Sequence, residues 1–109
     1  MRRLFGFFKR PGIMEGLLQY DESPDALLID VRSPAEYREG RIPGSQNVPI
    51  QSLDKVSRIT DNKDTPIFVY CHSGSRSTYA ALMLRDMGYR NVRNLGGMAG
   101  YKGKVERSA

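Results

Sequence analysis

Two uninterrupted apolar runs constrain the fold of this chain more than any other feature. Residues 26–31 and 66–71 are short and apolar at nearly every position, which is typical of strands buried on both faces of a parallel sheet. A helix signal follows each run. Residues 33–36 form a capping box with proline at the first helical position, and an amphipathic stretch extends over 76–87.

Weaker patterns complete this alternation of strands and helices. They predict helices over 13–20, over 53–59 with Ser52 as the cap and near 98–102, and extended pieces over 46–50 and 91–95. We therefore predict an α/β fold with a mainly parallel central sheet of about four to five strands, flanked by helices on both faces.

The length of 109 residues suits one domain. We assign it to residues 12–109 and interpret residues 1–11 as a basic, aromatic extension. That extension lacks the pattern of a signal peptide, and no apolar run is long enough to span a membrane. The cytoplasm is thus the expected location. Membrane-surface contact through residues 1–10 is a less favoured reading than a packed or frayed terminus.

The charge balance favours anionic partners. There are 17 basic and 12 acidic residues, for a formal charge of +5, and such a field attracts anions. Because no groove-reading or base-stacking motif accompanies the charge, we expect no nucleic-acid partner. The single cysteine, Cys71, excludes an intramolecular disulfide and a cysteine-rich metal site. We expect neither metal nor cofactor.

Cys71 lies where chemistry is expected. It ends the second apolar run, and sites in parallel sheets form beyond the carboxyl ends of strands. A short loop, His72, Ser73, Gly74 and Ser75, then leads to a helix. With Gly74 at positive φ, the loop amides can surround the sulfur. The helix N-terminus and Arg76 add positive charge, so we predict a lowered Cys71 pKa and a nucleophilic thiolate.

His72 invites comparison with the cysteine–histidine pair of thiol proteases. Adjacent residues in a tight loop usually point in different directions, and the partners in such pairs come from separate segments. We therefore predict that His72 lines the loop and does not act as a base.

Three segments together resemble the rhodanese family of sulfurtransferases. They are LIDVRSPAEYREGRIPGSQNVP (28–49), VYCHSGSRS (69–77) and NLGG (94–97). The resemblance implies a single-domain sulfurtransferase of the thiosulfate:cyanide type, in which Cys71 carries a sulfane sulfur as a persulfide. The implied partners are a small anionic donor, thiosulfate or a low-molecular-weight persulfide, and an acceptor that is cyanide or a thiol, including a thiol on a protein.

The resemblance also suggests roles around Cys71. The amides of residues 72–76 would hold the terminal sulfur, and Arg76 would steady the loop or meet the donor. Asp30 is expected either to pair with Arg76, because both lie at the same sheet edge, or to serve only as scaffold. Arg32, in the family's Asp-Val-Arg signature, is expected to hold the following loop and helix.

The sequence departs from the family pattern at three places. Arg41 stands where the family commonly has histidine. Met98 and Tyr101 occupy a region in which it often has tryptophan. The usual opening strand is also not visible in the sequence.

Two other functions compete with sulfur transfer. Cysteine phosphatases and arsenate reductases of a related fold have five residues between cysteine and arginine, whereas four separate Cys71 from Arg76. The shorter loop favours a single sulfur atom over a tetrahedral oxyanion. The second alternative is a non-enzymatic sulfur carrier or protein-interaction module.

Overall fold

The structure is a computed structural model that describes residues 12–108. Four parallel strands form its sheet in the order β2-β1-β3-β4. They are β1 (Leu27–Asp30), β2 (Gln46–Asn47), β3 (Ile67–Cys71) and β4 (Val92–Gly97). The two apolar runs supply β1 and β3, the central pair, in the register Leu27 with Ile67 and Asp30 with Tyr70. The predicted α/β fold and its parallel sheet are confirmed.

Helices cover both faces of the sheet. They are α1 (Ile13–Asp21), α2 (Pro34–Glu39) and α3 (Ser75–Asp86), with 3₁₀ segments at Ile50–Arg58 and Met98–Gly100. Side chains alternate along each strand, so the core divides in two. Ile29, Val69 and Cys71 pack with α3 and the longer 3₁₀ segment. Leu28 and Phe68 pack on the other face with Ile13 of α1.

The capping box of α2 forms as the sequence predicts. The Ser33 hydroxyl accepts from the Glu36 amide, and the Glu36 carboxylate accepts from the Ser33 amide. The segment Ile50–Arg58 is a 3₁₀ helix with a kink at Ser52, whose angles are not helical. The predicted helix over 53–59 therefore follows Ser52 as expected, in 3₁₀ form, and a further short turn precedes it after Pro49. The structure shows no side-chain capping bond at the start of this segment.

The residues that depart from the family pattern pack against parts of the fold other than the Cys71 side chain. Arg41 forms an isolated bridge with Glu106 and stacks over Tyr37. Met98 and Tyr101 pack with the core cluster beneath α1, on the face opposite Cys71. Across residues 12–108, no helix has the length and apolar character needed to cross a membrane. The N-terminal extension over 1–11 lies outside the described residues, so the domain division stays a prediction.

Candidate active site

Cys71 ends β3 at the carboxyl edge of the sheet. Its neighbours there are Asp30, at the end of β1, and Gly97 of β4, with which Cys71 is in register. The Cys71 side chain points to the face covered by α3 and is fully buried. The sulfur therefore lies between the sheet edge and the first turn of the longest helix.

The loop after Cys71 curls its backbone around the sulfur. Gly74 takes a φ of 104° as the N-cap of α3, a left-handed conformation that glycine adopts without steric cost. This turn aims the Gly74 amide at Sγ at 3.0 Å, and the Ser77 amide reaches Sγ at 3.3 Å. Two amide donors thus converge on the sulfur, from the loop and from the first turn of the helix.

Ser77 is a site residue that the sequence analysis missed. It is fully buried, and the Cys71 thiol donates to its hydroxyl oxygen at 3.5 Å. The same hydroxyl donates to the Gly74 carbonyl at 3.1 Å. The sequence did contain a signal for this role: Ser77 directly follows Arg76, so its hydroxyl lies in the first turn of the helix that begins after the cysteine loop.

The surroundings of Cys71 favour its thiolate. Burial alone would raise the pKa of Cys71, because an apolar environment disfavours the charged form. The side-chain hydrogen bond with Ser77, in which the hydroxyl turns to donate once the thiol has lost its proton, outweighs burial together with hydrogen bonds from the backbone amides of Ser77, Gly74 and Arg76. The net pKa of Cys71 therefore lies below its ordinary value. A lowered pKa makes a larger fraction of the sulfur nucleophilic at neutral pH.

Replacement of Ser77 by alanine tests this balance. Without the hydroxyl, burial is opposed only by the amides, so the pKa of Cys71 should rise. The thiolate fraction at neutral pH should fall, and the midpoint of the iodoacetamide alkylation rate should move to higher pH. Ser75→Ala is the matched control, because its exposed hydroxyl lies 3.5 Å from Ser73 Oγ and has no contact with the sulfur. An unmoved midpoint in Ser77→Ala would contradict a role for the hydroxyl.

Asp30 does not pair with Arg76. Its carboxylate is bound by Arg32 through Nε at 3.0 and 3.1 Å and through Nη2 at 2.7 Å. The physical reason is a local turn after β1 ends at Asp30: Asp30 Oδ1 also accepts from the Arg32 backbone amide at 2.9 Å, which holds the two residues together. Arg32 Nη2 also donates to the Gly40 carbonyl at 2.6 Å, so this buried pair ties β1 to the end of α2. Arg32 therefore holds the following loop and helix.

Arg76 pairs with Glu36 of α2. Its two terminal nitrogens donate to the two carboxylate oxygens at 2.7 and 3.0 Å. The hydrogen bond from Arg76 lowers the pKa of Glu36 to about 2, so the carboxylate is ionised at neutral pH. Both side chains are about one-third exposed. The active-site loop is thus joined to the capped start of α2.

A cavity lined mainly by charged side chains lies at the same edge of the sheet. We call it the outer cavity; its volume is about 350 Å³, and its lining residues are Arg32, Glu36, Glu39, Gly40 and His72. His72 thus lines the approach to the loop, while Ser73 and Ser75 are exposed on it. A more apolar cavity of about 340 Å³ lies between α1 and Ile42, on the opposite face, and none of its lining residues belongs to the cysteine loop.

Together, fold and site define a class of protein: a small α/β domain that holds a buried cysteine of lowered pKa in a strand–loop–helix cradle. The rhodanese-like domain profile matches residues 14–104, and the chain belongs to this family. It is similar to "Sulfurtransferase" of Allochromatium vinosum, with 39% identity over 70% of this chain and 70% of that protein. It is also similar to "Thiosulfate sulfurtransferase PspE" of Escherichia coli, with 34% identity over 64% of this chain and 68% of that protein.

The comparisons with solved structures agree on the fold. "Rhodanese with anions from E. coli" superposes with a TM-score of 0.71 at 29% identity, covering 75% of this chain and 98% of that one. Among the first curated relatives, the chain spans between 58% and 70% of their length. Sulfurtransferase names among these relatives support a role in sulfur transfer.

Proposed function

We propose that this protein is a sulfurtransferase in which Cys71 takes a sulfane sulfur from thiosulfate or a persulfide and passes it to a thiol or to cyanide. The observation that carries the proposal is the cradle around Sγ, formed by the amides of Gly74 and Ser77 and by the Ser77 hydroxyl. Such a cradle stabilises negative charge on sulfur, and the attacking thiolate and the persulfide anion both carry it.

The first half-reaction loads the cysteine. The Cys71 thiolate attacks the outer sulfur of thiosulfate, a new S–S bond forms, and the donor's S–S bond breaks with its electron pair leaving on sulfite. An acceptor thiolate or cyanide then attacks the terminal sulfur of the persulfide, and the Cys71 thiolate is regenerated. The two half-reactions share one covalent intermediate. Neither uses a metal or redox cofactor.

The burial of Cys71 adds a requirement. Its exposed fraction is 0%, so a donor reaches Sγ only after side chains of the 72–75 loop turn aside, while the loop amides keep their positions. The loop side chains that face solvent are His72, Ser73 and Ser75, and their movement opens the path without disturbing the core. We place donor entry on the side of the outer cavity, because His72 lines it.

The test is a mass measurement on the intact protein. Wild type, Cys71→Ser and the Ser75→Ala control are incubated with thiosulfate. We expect the mass of one sulfur atom to be added to wild type and control, and none to Cys71→Ser. Subsequent cyanide should remove the added sulfur and release thiocyanate over many turnovers.

The outcomes separate the competing functions. A wild type that loads no sulfur from thiosulfate or from an alkyl persulfide contradicts the proposal. Loading without turnover to cyanide or to a small thiol would instead indicate a sulfur carrier that delivers to a protein acceptor. Cytoplasmic location stays a prediction, which fractionation of cells that express the full chain would check.

A further inference from the structure

The two arginines at the active edge are both held by carboxylates. Arg32 is bound by both oxygens of Asp30, and Arg76 by both oxygens of Glu36. Fork-to-fork pairing of this kind fixes an arginine in place and turns two of its nitrogens toward the carboxylate. Neither guanidinium is therefore presented to the donor as a free cation.

The outer cavity is consequently not cationic. Of its lining residues, Arg32 and Glu36 belong to the two ion pairs, and Glu39 adds a further carboxylate. Glu36 is also held independently of Arg76, because its Oε1 accepts a hydrogen bond from the Ser33 amide at 3.0 Å. The capping box thus holds Glu36 in position before any donor arrives.

We propose that Glu36 sets donor specificity: by holding Arg76 it withholds that cation from the donor, so the site favours low-charge alkyl persulfides over dianionic thiosulfate. This inference rests on the proposed function and names its donor class. Glu36 acts through Arg76 and is a positioning residue. The net positive charge of the whole chain attracts every anionic donor. Glu36 acts only beside Cys71, where the charge of the bound donor decides how strongly its carboxylate repels that donor.

The favoured reaction balances without a further reactant. The Cys71 thiolate attacks the outer sulfur of a persulfide, R–S–SH, and forms the new S–S bond. The donor's own S–S bond breaks, its electron pair leaves on the R–S⁻ thiolate, and the proton stays on the transferred sulfur. A leaving thiolate carries one negative charge, whereas sulfite leaves with two, so the alkyl persulfide places less charge beside Glu36.

The test variant is Glu36→Gln. Glutamine at this position preserves the capping box and still accepts one hydrogen bond from Arg76, but it carries no charge. The second-order rate constant of Cys71 persulfide formation is measured by rapid quench and intact mass, with thiosulfate or cysteamine persulfide as donor. Removal of one partly screened charge near a dianion should raise the thiosulfate constant about three- to tenfold. The cysteamine persulfide constant should change by less than about twofold, since that donor carries little net charge.

Two further variants separate charge from structure. Asp64→Asn removes a carboxylate from a more exposed pair with Arg90, 2.8 Å apart, in the loop that precedes β3 at the opposite edge of the sheet, and should change neither constant. The double variant Glu36→Gln/Arg76→Gln removes both charges and should return the ratio of the two donors to the wild-type value.

The possible results are distinct. An equal change for both donors would make Glu36 only a structural support and overturn the inference. An unchanged or lower thiosulfate constant in Glu36→Gln, or a double variant that keeps the raised ratio, would overturn it as well. Failure of the wild type to load sulfur from either donor would contradict the proposed function itself.

Discussion

Gly97→Ala is expected to reduce sulfur loading of Cys71 by about a hundredfold, because a misplacement on the order of 1 Å at a reacting centre has that effect. A Cβ on Gly97 would lie 2.2 Å from the His72 carbonyl oxygen and 2.8 Å from the Ser73 carbonyl carbon. Both are backbone atoms of the active-site loop. Because they cannot rotate away, the loop itself must shift.

The backbone angles of Gly97 exclude backbone strain as the cause, so the effect of alanine comes from the clash of its Cβ with the loop. Its φ of −107° and ψ of 153° are ordinary extended values, so alanine adopts them without strain. The displaced loop would carry the Gly74 amide away from Sγ, and the thiolate would lose a donor. Overpacking of this kind costs about 1–3 kcal/mol of unfolding free energy, which urea denaturation would measure alongside the loading rate.

Gly100→Ala is the matched control for this prediction. A Cβ there would meet Ile13 Cγ2 at 3.7 Å, an ordinary van der Waals contact. We expect wild-type loading and stability from it. If Gly97→Ala loaded sulfur as fast as Gly100→Ala, the loop amides would not need their observed positions, and the cradle would lose its assigned role.

The sequence predicts the architecture well because the signals for it are local. Each apolar run became a central strand, and residues 33–36 formed the predicted capping box. Gly74 takes the positive φ expected of it. These features depend on backbone preference and on burial along one segment, both of which can be read from neighbouring residues.

Side-chain pairing at the site could not be read in the same way. Membership of one sheet edge suggested that Asp30 meets Arg76, but partners are decided by the direction in which each side chain points. A local turn holds Asp30 to Arg32, whereas Arg76 comes from α3 and meets Glu36 of α2. That contact joins residues 40 positions apart, and it depends on how α2 lies against the loop.

Asp30→Ala is expected to destabilise the protein by about 3–5 kcal/mol, the usual effect of removing one partner of a buried ion pair. Asp30 is 0% exposed and Arg32 6% exposed, so the variant leaves a buried guanidinium without its carboxylate. Burial alone would lower the pKa of Arg32, but its hydrogen bond with Asp30 raises it overall. The midpoint of urea unfolding would measure the loss.

A double variant distinguishes pairing from packing. In Asp30→Leu/Arg32→Met, no charge stays buried, so the protein should recover much of the stability that Asp30→Ala loses. Asp64→Asn, which breaks an exposed pair with Arg90, should leave the midpoint unchanged, since exposed pairs contribute little. A double variant less stable than Asp30→Ala would show that the link from Arg32 to the Gly40 carbonyl, 2.6 Å long, matters more than the ion pair. In that case Arg32 would stabilise this edge of the sheet chiefly by anchoring the end of α2. Because α2 carries Glu36, that anchor would also keep Glu36 in position to bind Arg76.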